Sequence, residues 1–226
     1  RNVVAVAAML GERLPGCFVC TSASVLPEYR EFERFTTTLL NASVGPIMAR
    51  YLRRLGEALA RRGYAGDLAI MNSSGGVMSA EVAARLPVHT MLSGPAGGVA
   101  AAVSVGRSAG HRDLITYDMG GTSTDVCLIR DLAPTMSAER HIAGYPNRTL
   151  QVDINTIGAG GGSLAWLDAG HALRVGPQSA GASPGPACYG RGGTAATVTD
   201  ANLVLNRLNA RAPLGGELPL QPERAR

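Results

Sequence analysis

The segment that most constrains this chain is residues 114–125, which read LITYDMGGTSTD. An apolar strand leads into Asp118, a Gly-Gly-Thr turn follows, and the apolar run at 126–129 predicts a returning strand. Glycine has no Cβ, so Gly120 and Gly121 would let backbone N–H groups come close to a bound anion. The pattern predicts a β-hairpin whose turn can hold a nucleotide phosphate.

The side chains around this turn allow two interpretations. The hydroxyls of Thr122, Ser123 and Thr124 would add donors for a phosphate. The Asp118 carboxylate would repel a bare phosphate, so it fits only if a hard cation such as Mg²⁺ lies between them. Asp125 could act similarly or cap the turn. The alternative is an ordinary Asx-type hairpin turn, in which Asp, Gly, Ser and Thr are all common.

The absence of lysine removes several other chemistries. All 21 of the Lys and Arg residues are arginine. A Walker loop requires its lysine, and so does Schiff-base chemistry, so both are excluded. The Rossmann pattern G-x-G-x-x-G is also missing at the turn. A nucleotide that binds here must bind between the strands of a hairpin.

Composition limits the size and setting of the fold. The 226 residues allow one large or two small domains, and an aromatic content of 4% means a core of Ala, Val, Leu and Ile. No stretch approaches the roughly 18 consecutive apolar residues of a membrane span, so no membrane partner is predicted. No signal peptide or initiator Met opens the sequence, and we expect a fragment of a longer protein.

Charge and cysteine content point to no special partner. The net charge is +4, and no aromatic residues interleave with the arginines, so no nucleic-acid partner is predicted. Cys17 and Cys20 form a C-x-x-C, but no second pair exists to complete a zinc site. They fall in a run predicted as a buried strand at 16–21. Four cysteines do not make a disulfide framework in a chain this long, which favours a cytoplasmic location.

Periodicity and turn residues predict further elements. Before the hairpin, these are a helix ending near Gly11, a helix opening at Pro27, a helix from Ser43 to Gly63 with Pro46 near its start, a strand at 67–71 followed by a polar turn at 72–76, and a small-residue helix at 93–108. After it, they are a strand at 149–157 with Asp153 and Asn155 on one face, a hairpin at 163–175, a helix capped by Thr199 or Asp200, and a loose tail at 211–226.

The glycine run at 158–163 is a second candidate site. A segment this rich in glycine costs backbone entropy, so it should have a use. One interpretation is a loop close to ligand or metal, with Gly160 and Gly161 contacting a cofactor and Asp153 as a second catalytic candidate. The other is a flexible entry to the hairpin that follows.

Several long segments resemble a known family. The chain resembles the hydantoinase A / 5-oxoprolinase family over about residues 1–209, and the order of a small-residue helix before strand–DMGGTSTD–strand resembles the actin-like ATPase superfamily. The matching segments are 25–42, IMNSSGGVMSAEVA (70–83), LSGPAGGVAAA (92–102), DMGGTSTDV (118–126), DINTIGAGGGS (153–163), 175–193 and TVTDANLVLNRL (197–208).

The resemblance implies an α/β fold of the actin-like ATPase (ribonuclease H-like) type, present in part. Residues 1–110 would end a first subdomain, 111–209 would begin a second, and 210–226 would be a loose tail. Asp118, Gly120, Gly121 and Thr122, together with Ser123, would form the second phosphate loop for ATP, with Asp118 facing Mg²⁺. The family's earlier phosphate motif and later adenosine motif are absent from this sequence, which implies a central fragment.

The resemblance also implies an activity. The parent protein is expected to be an ATP-dependent hydrolase of cyclic amides, such as hydantoin or 5-oxoproline, in which ATP activates the carbonyl so that water can open the ring. A partner subunit or domain of the hydantoinase B type is expected. The alternatives are a subunit of an ATP-dependent ketone carboxylase and a non-catalytic actin-like nucleotide-binding module.

Overall fold

A computed structural model describes residues 2–226. The α-helices are α1 (Asn2–Arg13), α2 (Ser22–Val25), α3 (Glu31–Arg61), α4 (Ala80–Arg85), α5 (Ser93–Ala109) and α6 (Val198–Val204). The strands are β1 (Ala69–Met71), β2 (Val77–Ser79), β3 (Leu114–Met119), β4 (Thr124–Arg130), β5 (Ala133–Pro134), β6 (Met136–Ser137), β7 (Arg140–Ile142), β8 (Tyr145–Asn147), β9 (Gln151–Val152), β10 (Asn155–Ile157), β11 (Ser163–Leu167) and β12 (Leu173–Ser179). Short 3-10 helices span Pro87–Thr90, Ala187–Tyr189 and Pro222–Arg224.

The chain forms two compact units that are discontinuous in sequence. The first unit comprises the described residues up to Leu114 together with Cys127–Asp153. The second comprises Ile115–Val126 and Ile154–Arg226. The assignment of residues 1–110 and 111–209 to actin-like subdomains remains a prediction.

Helix α3 organises the first unit. Its first turn carries Glu31 and Glu33, which suit the positive end of the helix dipole. Its buried Asn41 donates to the Arg85 carbonyl and accepts the Val88 N–H, so α3 is joined to the segment that follows α4. Such a fully buried amide stabilises the fold only because both of its polar ends are bonded.

The prediction of a separate helix beginning near Ser43 is wrong. Helix α3 runs without interruption from Glu31 to Arg61, with Pro46 in its interior. A proline there removes one backbone hydrogen bond. Gly45 beside it is buried against the Phe18 ring, so tertiary packing holds the helix together through the proline.

The prediction of a buried strand at 16–21 is also wrong. The segment has no regular structure, and Cys17 is exposed. Thr21 instead caps α2, because its side chain accepts the Ser24 N–H and the Ser24 side chain accepts the Thr21 N–H. This reciprocal capping is local chemistry that outweighs a short apolar run.

The polar turn at 72–76 connects the antiparallel strands β1 and β2. Asn72 Oδ1 accepts the N–H groups of Ser74 and Gly76, which is an Asx-type turn.

The small-residue helix predicted at 93–108 is confirmed as α5. A Cβ added at Gly106 would crowd the end of the Leu114 side chain and lie 3.0 Å from the His111 carbonyl oxygen, so glycine favours this close approach.

The second unit is built on strand β3, the first part of β4, and β10. Strand β4 lies between β3 and β10 in the sheet. The β4–β10 pairing is antiparallel and places Thr156 opposite Asp125. The hairpin predicted at 163–175 is confirmed as β11 and β12.

The segment 149–157 is not the single strand that alternation predicted. Strand β9 pairs with β6, β10 pairs with β4, and Asp153 lies between them outside both strands. Asp153 and Asn155 therefore do not share a strand face. Each short strand follows a different partner, so no single register spans the segment.

The structure differs from the expectation of a loose tail at 211–226. Leu220 is buried in a hydrophobic cluster with Cys188 and Leu203. The Gln221 N–H also donates to the Cys188 carbonyl at 2.8 Å.

None of the helices within residues 2–226 is long and apolar enough to cross a membrane.

Candidate functional site

The turn predicted to hold phosphate lies at the end of the β3–β4 hairpin. The Gly120 N–H donates to the Ser123 carbonyl at 2.9 Å, which closes the turn and leaves Gly121 and Thr122 at its tip. Gly120, Gly121 and Thr122 are exposed. Within residues 2–226, the N–H groups of Gly121, Thr122 and Ser123 donate to no protein acceptor. Three backbone donors are therefore available to an anion.

Gly120 and Gly121 differ little in the space that an added side chain would find. Neither has a positive φ. A Cβ added at Gly121 would meet no heavy atom within 4 Å, and one at Gly120 would meet only the Ser123 carbonyl oxygen, at 3.6 Å. Protein packing does not require glycine at 121, whereas close approach of a ligand to the backbone would.

Asp118 lies near the end of β3 and is exposed. Its carboxylate has no hydrogen bond or ion pair with any other residue in the described range 2–226. Over the same range, no group of three or more His, Cys, Asp or Glu side chains is placed to hold a metal ion. Mg²⁺ bound with a nucleotide usually takes one or two carboxylates and completes its shell with water and phosphate oxygens. A single free carboxylate beside exposed N–H donors fits that coordination.

The other polar side chains of the motif are engaged within the protein. The Thr156 hydroxyl donates to Asp125 Oδ1 at 2.6 Å across the β4–β10 pair. Thr124 is buried, and its hydroxyl donates to the Ala159 carbonyl at 2.6 Å. Asp125 and Thr124 therefore hold the hairpin against β10 and the following loop, which leaves Asp118 as the free acid.

The glycine run at 158–163 packs directly against the turn. The Gly161 N–H donates to the Gly120 carbonyl at 2.9 Å, and the Gly162 N–H donates to the Gly121 carbonyl at 2.6 Å. The C=O and N–H of a trans peptide point in opposite directions. Because the two carbonyls point toward the glycine run, the N–H groups of Gly121 and Thr122 point away from it.

Gly160 shows why this run must be so rich in glycine. It is buried, and an added Cβ would lie 2.7 Å from the backbone nitrogen of Thr122 and 2.8 Å from the Gly120 carbonyl oxygen. Its own N–H donates to Ser163 Oγ at 2.8 Å. Gly160 and Gly161 thus support the turn with bonds made inside the protein, and a direct contact of either with a cofactor remains a prediction.

Helix α6 supports the glycine run from its other side. Thr197 is the N-cap and forms a capping box with Asp200, so neither Thr199 nor Asp200 is the cap. Thr199 is buried, and both its N–H and its hydroxyl donate to the Gly161 carbonyl, each at 2.8 Å. Sequence reasoning missed Thr199 as a site residue, although the Thr-x-x-Asp pattern at 197–200 could have located the helix start.

The buried Asp200 carboxylate anchors the start of α6. It accepts hydrogen bonds from the N–H groups of Ala187, Cys188 and Thr197 and from the Thr197 hydroxyl. Burial alone acts to raise its pKa, but these hydrogen bonds outweigh burial, and the pKa lies below the ordinary value for aspartate. Asp200 therefore stays ionised and joins the 3-10 helix at Ala187–Tyr189 to α6.

Neither buried cysteine is activated as a nucleophile. Burial, with the hydrogen bond to Asp200 and the charge of Asp200, raises the pKa of Cys188 to about 12. Burial first, and the negative charge of Asp153 second, raise the pKa of Cys127. Both thiols are protonated at neutral pH, so they act as packing residues.

Asp153 differs from the other predicted site residues in the unit to which it belongs. It is exposed in the first unit, and its N–H donates to the Thr135 carbonyl at 2.8 Å. The other predicted site residues belong to the second unit and form the turn and the run behind it: Asp118, Gly120, Gly121, Thr122, Ser123, Gly160 and Gly161.

Comparisons with known proteins match most of this chain, including the turn and the glycine run. The hydantoinase/oxoprolinase family model matches residues 34–226. The caprolactamase subunit alpha of Pseudomonas jessenii is 40% identical over 218 residues, covering 96% of this chain and 31% of that protein. The 5-oxoprolinase of Saccharomyces cerevisiae is 39% identical over 199 residues, covering 84% of this chain and 14% of that protein.

A solved structure supports the fold. The nucleotide-free structure of acetone carboxylase, from a study of ATP-dependent acetone carboxylation, is 31% identical and superposes with a TM-score of 0.79. The likeness covers 99% of this chain and 32% of that chain. It confirms the predicted α/β class in its coarse form. This chain spans less than a third of the length of each of these three proteins.

Alanine substitution should distinguish Gly160, where packing leaves no room for a Cβ, from Gly121, where it does. Gly160→Ala is expected to destabilise the second unit by about 1–3 kcal/mol, because the new methyl group collides with backbone. Gly121→Ala, the matched control, should leave stability within about 1 kcal/mol of the wild type. Urea unfolding followed by the fluorescence of Trp166, the single tryptophan, measures both. Equal effects of the two substitutions would contradict this assignment.

Asp200 should make stability depend on pH in a defined direction. Its lowered folded-state pKa means that its contribution is complete above the ordinary pKa of about 3.9 and is lost as pH falls through the folded value. Asp200→Asn should destabilise by about 2–3 kcal/mol at pH 7, because buried N–H donors lose a charged acceptor. The gap between mutant and wild type should narrow between pH 5 and the acid limit of folding, as measured by urea titrations at several pH values. A gap that widens toward low pH would exclude this role.

Proposed function

The chain belongs to the hydantoinase/oxoprolinase family, and from that premise we propose that it forms one wall of the ATP site in a larger enzyme that opens cyclic amides. The observation that carries the proposal is the turn at 120–123, which is exposed at 120–122 and has three unbonded N–H donors, with the free Asp118 carboxylate two residues before it in sequence. Caprolactamase and 5-oxoprolinase are named for substrates that are cyclic amides, and both resemble this chain over more than four-fifths of its length.

The residues of the turn have distinct proposed roles. The N–H groups of Gly121, Thr122 and Ser123 would hold phosphate oxygens, and Asp118 would be a ligand of the accompanying Mg²⁺. Gly120, Gly160 and Gly161 would keep the turn in place. Asp153 stays a second catalytic candidate, supported by its exposed carboxylate.

Mg·ATP, when bound, would supply the phosphoryl group that activates the amide carbonyl for attack by water. The contribution of this chain is electrostatic and positional. The N–H dipoles of the turn are already oriented before a ligand arrives, so they stabilise negative charge on phosphate without reorganising. Asp118 would attract Mg²⁺, and the bound cation would offset the repulsion between this carboxylate and the phosphate.

The setting of the chain is also proposed. We infer that it is the central part of an actin-like ATPase fold, with the other wall of the cleft supplied by residues outside this sequence. A partner of the hydantoinase B type is supported by the relative's description as a subunit alpha. A cytoplasmic location is supported by the four cysteines, none of which forms a disulfide within residues 2–226.

A second candidate function rests on the acetone carboxylase likeness. The same phosphate turn would serve a ketone carboxylase, in which ATP activation precedes carboxylation of an enolate. ATP turnover that requires both bicarbonate and a ketone would favour this candidate. Nucleotide binding with no stimulation by lactam or ketone would favour a non-catalytic module.

Replacing Asp118 tests the proposal. In the complete protein, Asp118→Asn should lower lactam-dependent ADP release by at least about tenfold, because a metal ligand is lost. The matched control is Asp67→Asn, which removes the same charge from an exposed position in the first unit. It should retain wild-type turnover.

Two outcomes would contradict the assignment. One is undiminished lactam-dependent ADP release in Asp118→Asn. The other is an equal loss in Asp67→Asn, which would show that the effect follows net charge and not the site. Raising the Mg²⁺ concentration should partly restore the Asp118 variant, since the lost interaction is metal affinity.

A further inference from the structure

Thr199 is connected to the phosphate turn through two planar peptide groups. Its N–H and hydroxyl both donate to the Gly161 carbonyl, each at 2.8 Å. A carbonyl oxygen has two lone pairs, and Thr199 occupies both. The orientation of the Gly161–Gly162 peptide is therefore determined from the first turn of α6.

The same peptide acts on the turn through its other edge. The Gly161–Gly162 peptide is trans, so its N–H points opposite to its carbonyl. That N–H, of Gly162, donates to the Gly121 carbonyl at 2.6 Å. The Gly121–Thr122 peptide is also trans, so its N–H, which belongs to Thr122, points toward the open side of the turn.

The start of α6, which carries Thr199, is held in place by several contacts. Asp200 anchors the start of α6 through four hydrogen bonds, and Thr197 forms a bridge with Leu164 of β11. Thr199 thus acts from a fixed position. Hydrogen bonds in series polarise one another, so donation to the Gly161 carbonyl strengthens the N–H donors further along.

The residue at position 161 must leave room for the Thr199 hydroxyl. A Cβ added at Gly161 would lie 2.8 Å from the Thr199 hydroxyl oxygen. Glycine at 161 is therefore required by the side chain at 199, and not by a positive φ.

We propose that Thr199 is a positioning residue for phosphate binding, acting through the Gly161–Gly162 and Gly121–Thr122 peptides to aim the Thr122 N–H. The ligand half of this inference rests on the proposed function. Thr199 itself is buried, and its proposed effect on the phosphate is indirect.

The test compares Thr199→Val, which keeps the shape and loses the hydroxyl, with Thr199→Ser, which keeps the hydroxyl. Thr194→Val is the matched control, because Thr194 is an exposed threonine of the same unit. In the complete protein, amide hydrogen exchange of Gly161 and Gly162 should quicken about fivefold in Thr199→Val. The dissociation constant for Mg·ATP should rise about three- to tenfold. Thr199→Ser and Thr194→Val should match the wild type in both measurements.

Each of the other possible outcomes would overturn one stated part of the proposal. Unchanged exchange in Thr199→Val would show that Thr199 does not hold the glycine run. Faster exchange with unchanged Mg·ATP affinity would show that it holds the run without positioning the phosphate donors. Equal losses in Thr199→Val and Thr199→Ser would point to packing and not to the hydroxyl. A wild-type protein that binds no Mg·ATP would contradict the proposed function itself, while the exchange measurement would still decide the role of Thr199.

Discussion

Two backbone hydrogen bonds, from Gly161 and Gly162 to the carbonyls of Gly120 and Gly121, determine the shape of the exposed turn. They point two carbonyls inward, so the opposite edges of the same peptides point two N–H groups outward. An isolated Gly-Gly-Thr turn has no such preference, because glycine gives the backbone freedom in both directions. The glycine run thus converts a flexible turn into a set of oriented donors.

This arrangement divides the work between backbone and side chains. The backbone supplies the anion donors, and glycine is required where two backbones approach, as at Gly160. Side chains hold the layers together from behind, with Thr124 bonded to Ala159 and Thr199 bonded to Gly161. Asp118 is left as the exposed charge. Oriented donors and one free carboxylate are what a phosphate–magnesium pair needs.

The hairpin could be predicted because its signal is local. An apolar run, a glycine turn and a second apolar run lie within 16 residues, and the family resemblance over the same segments is confirmed by the match to residues 34–226. The packing of the glycine run on the turn could not be predicted, because it joins residues about forty positions apart through backbone atoms alone. Thr199 was missed for the same reason, since its importance comes from a carbonyl and not from a neighbouring side chain.

Each wrong prediction has an identifiable physical cause. Pro46 indicated a helix start, but packing around Gly45 carries α3 through it. The run from Cys17 to Cys20 has strand-like residues but no partner strand, and Thr21 begins a helix instead. Asp153 and Asn155 alternate like one strand, although the flanking residues pair with different strands. A contact distant in sequence overrode a local preference in the first and third cases, whereas local capping by Thr21 did so in the second.

The most direct measurement is a crystal structure of the complete protein with Mg²⁺ and a non-hydrolysable ATP analogue. We expect phosphate oxygens within hydrogen-bond distance of the N–H groups of Gly121 and Thr122, and Mg²⁺ coordinated by Asp118 directly or through water. We also expect the bonds from Gly161 and Gly162 to the turn to be kept in the complex. Phosphates bound elsewhere, with the turn at 120–123 free of ligand, would contradict the proposed phosphate site.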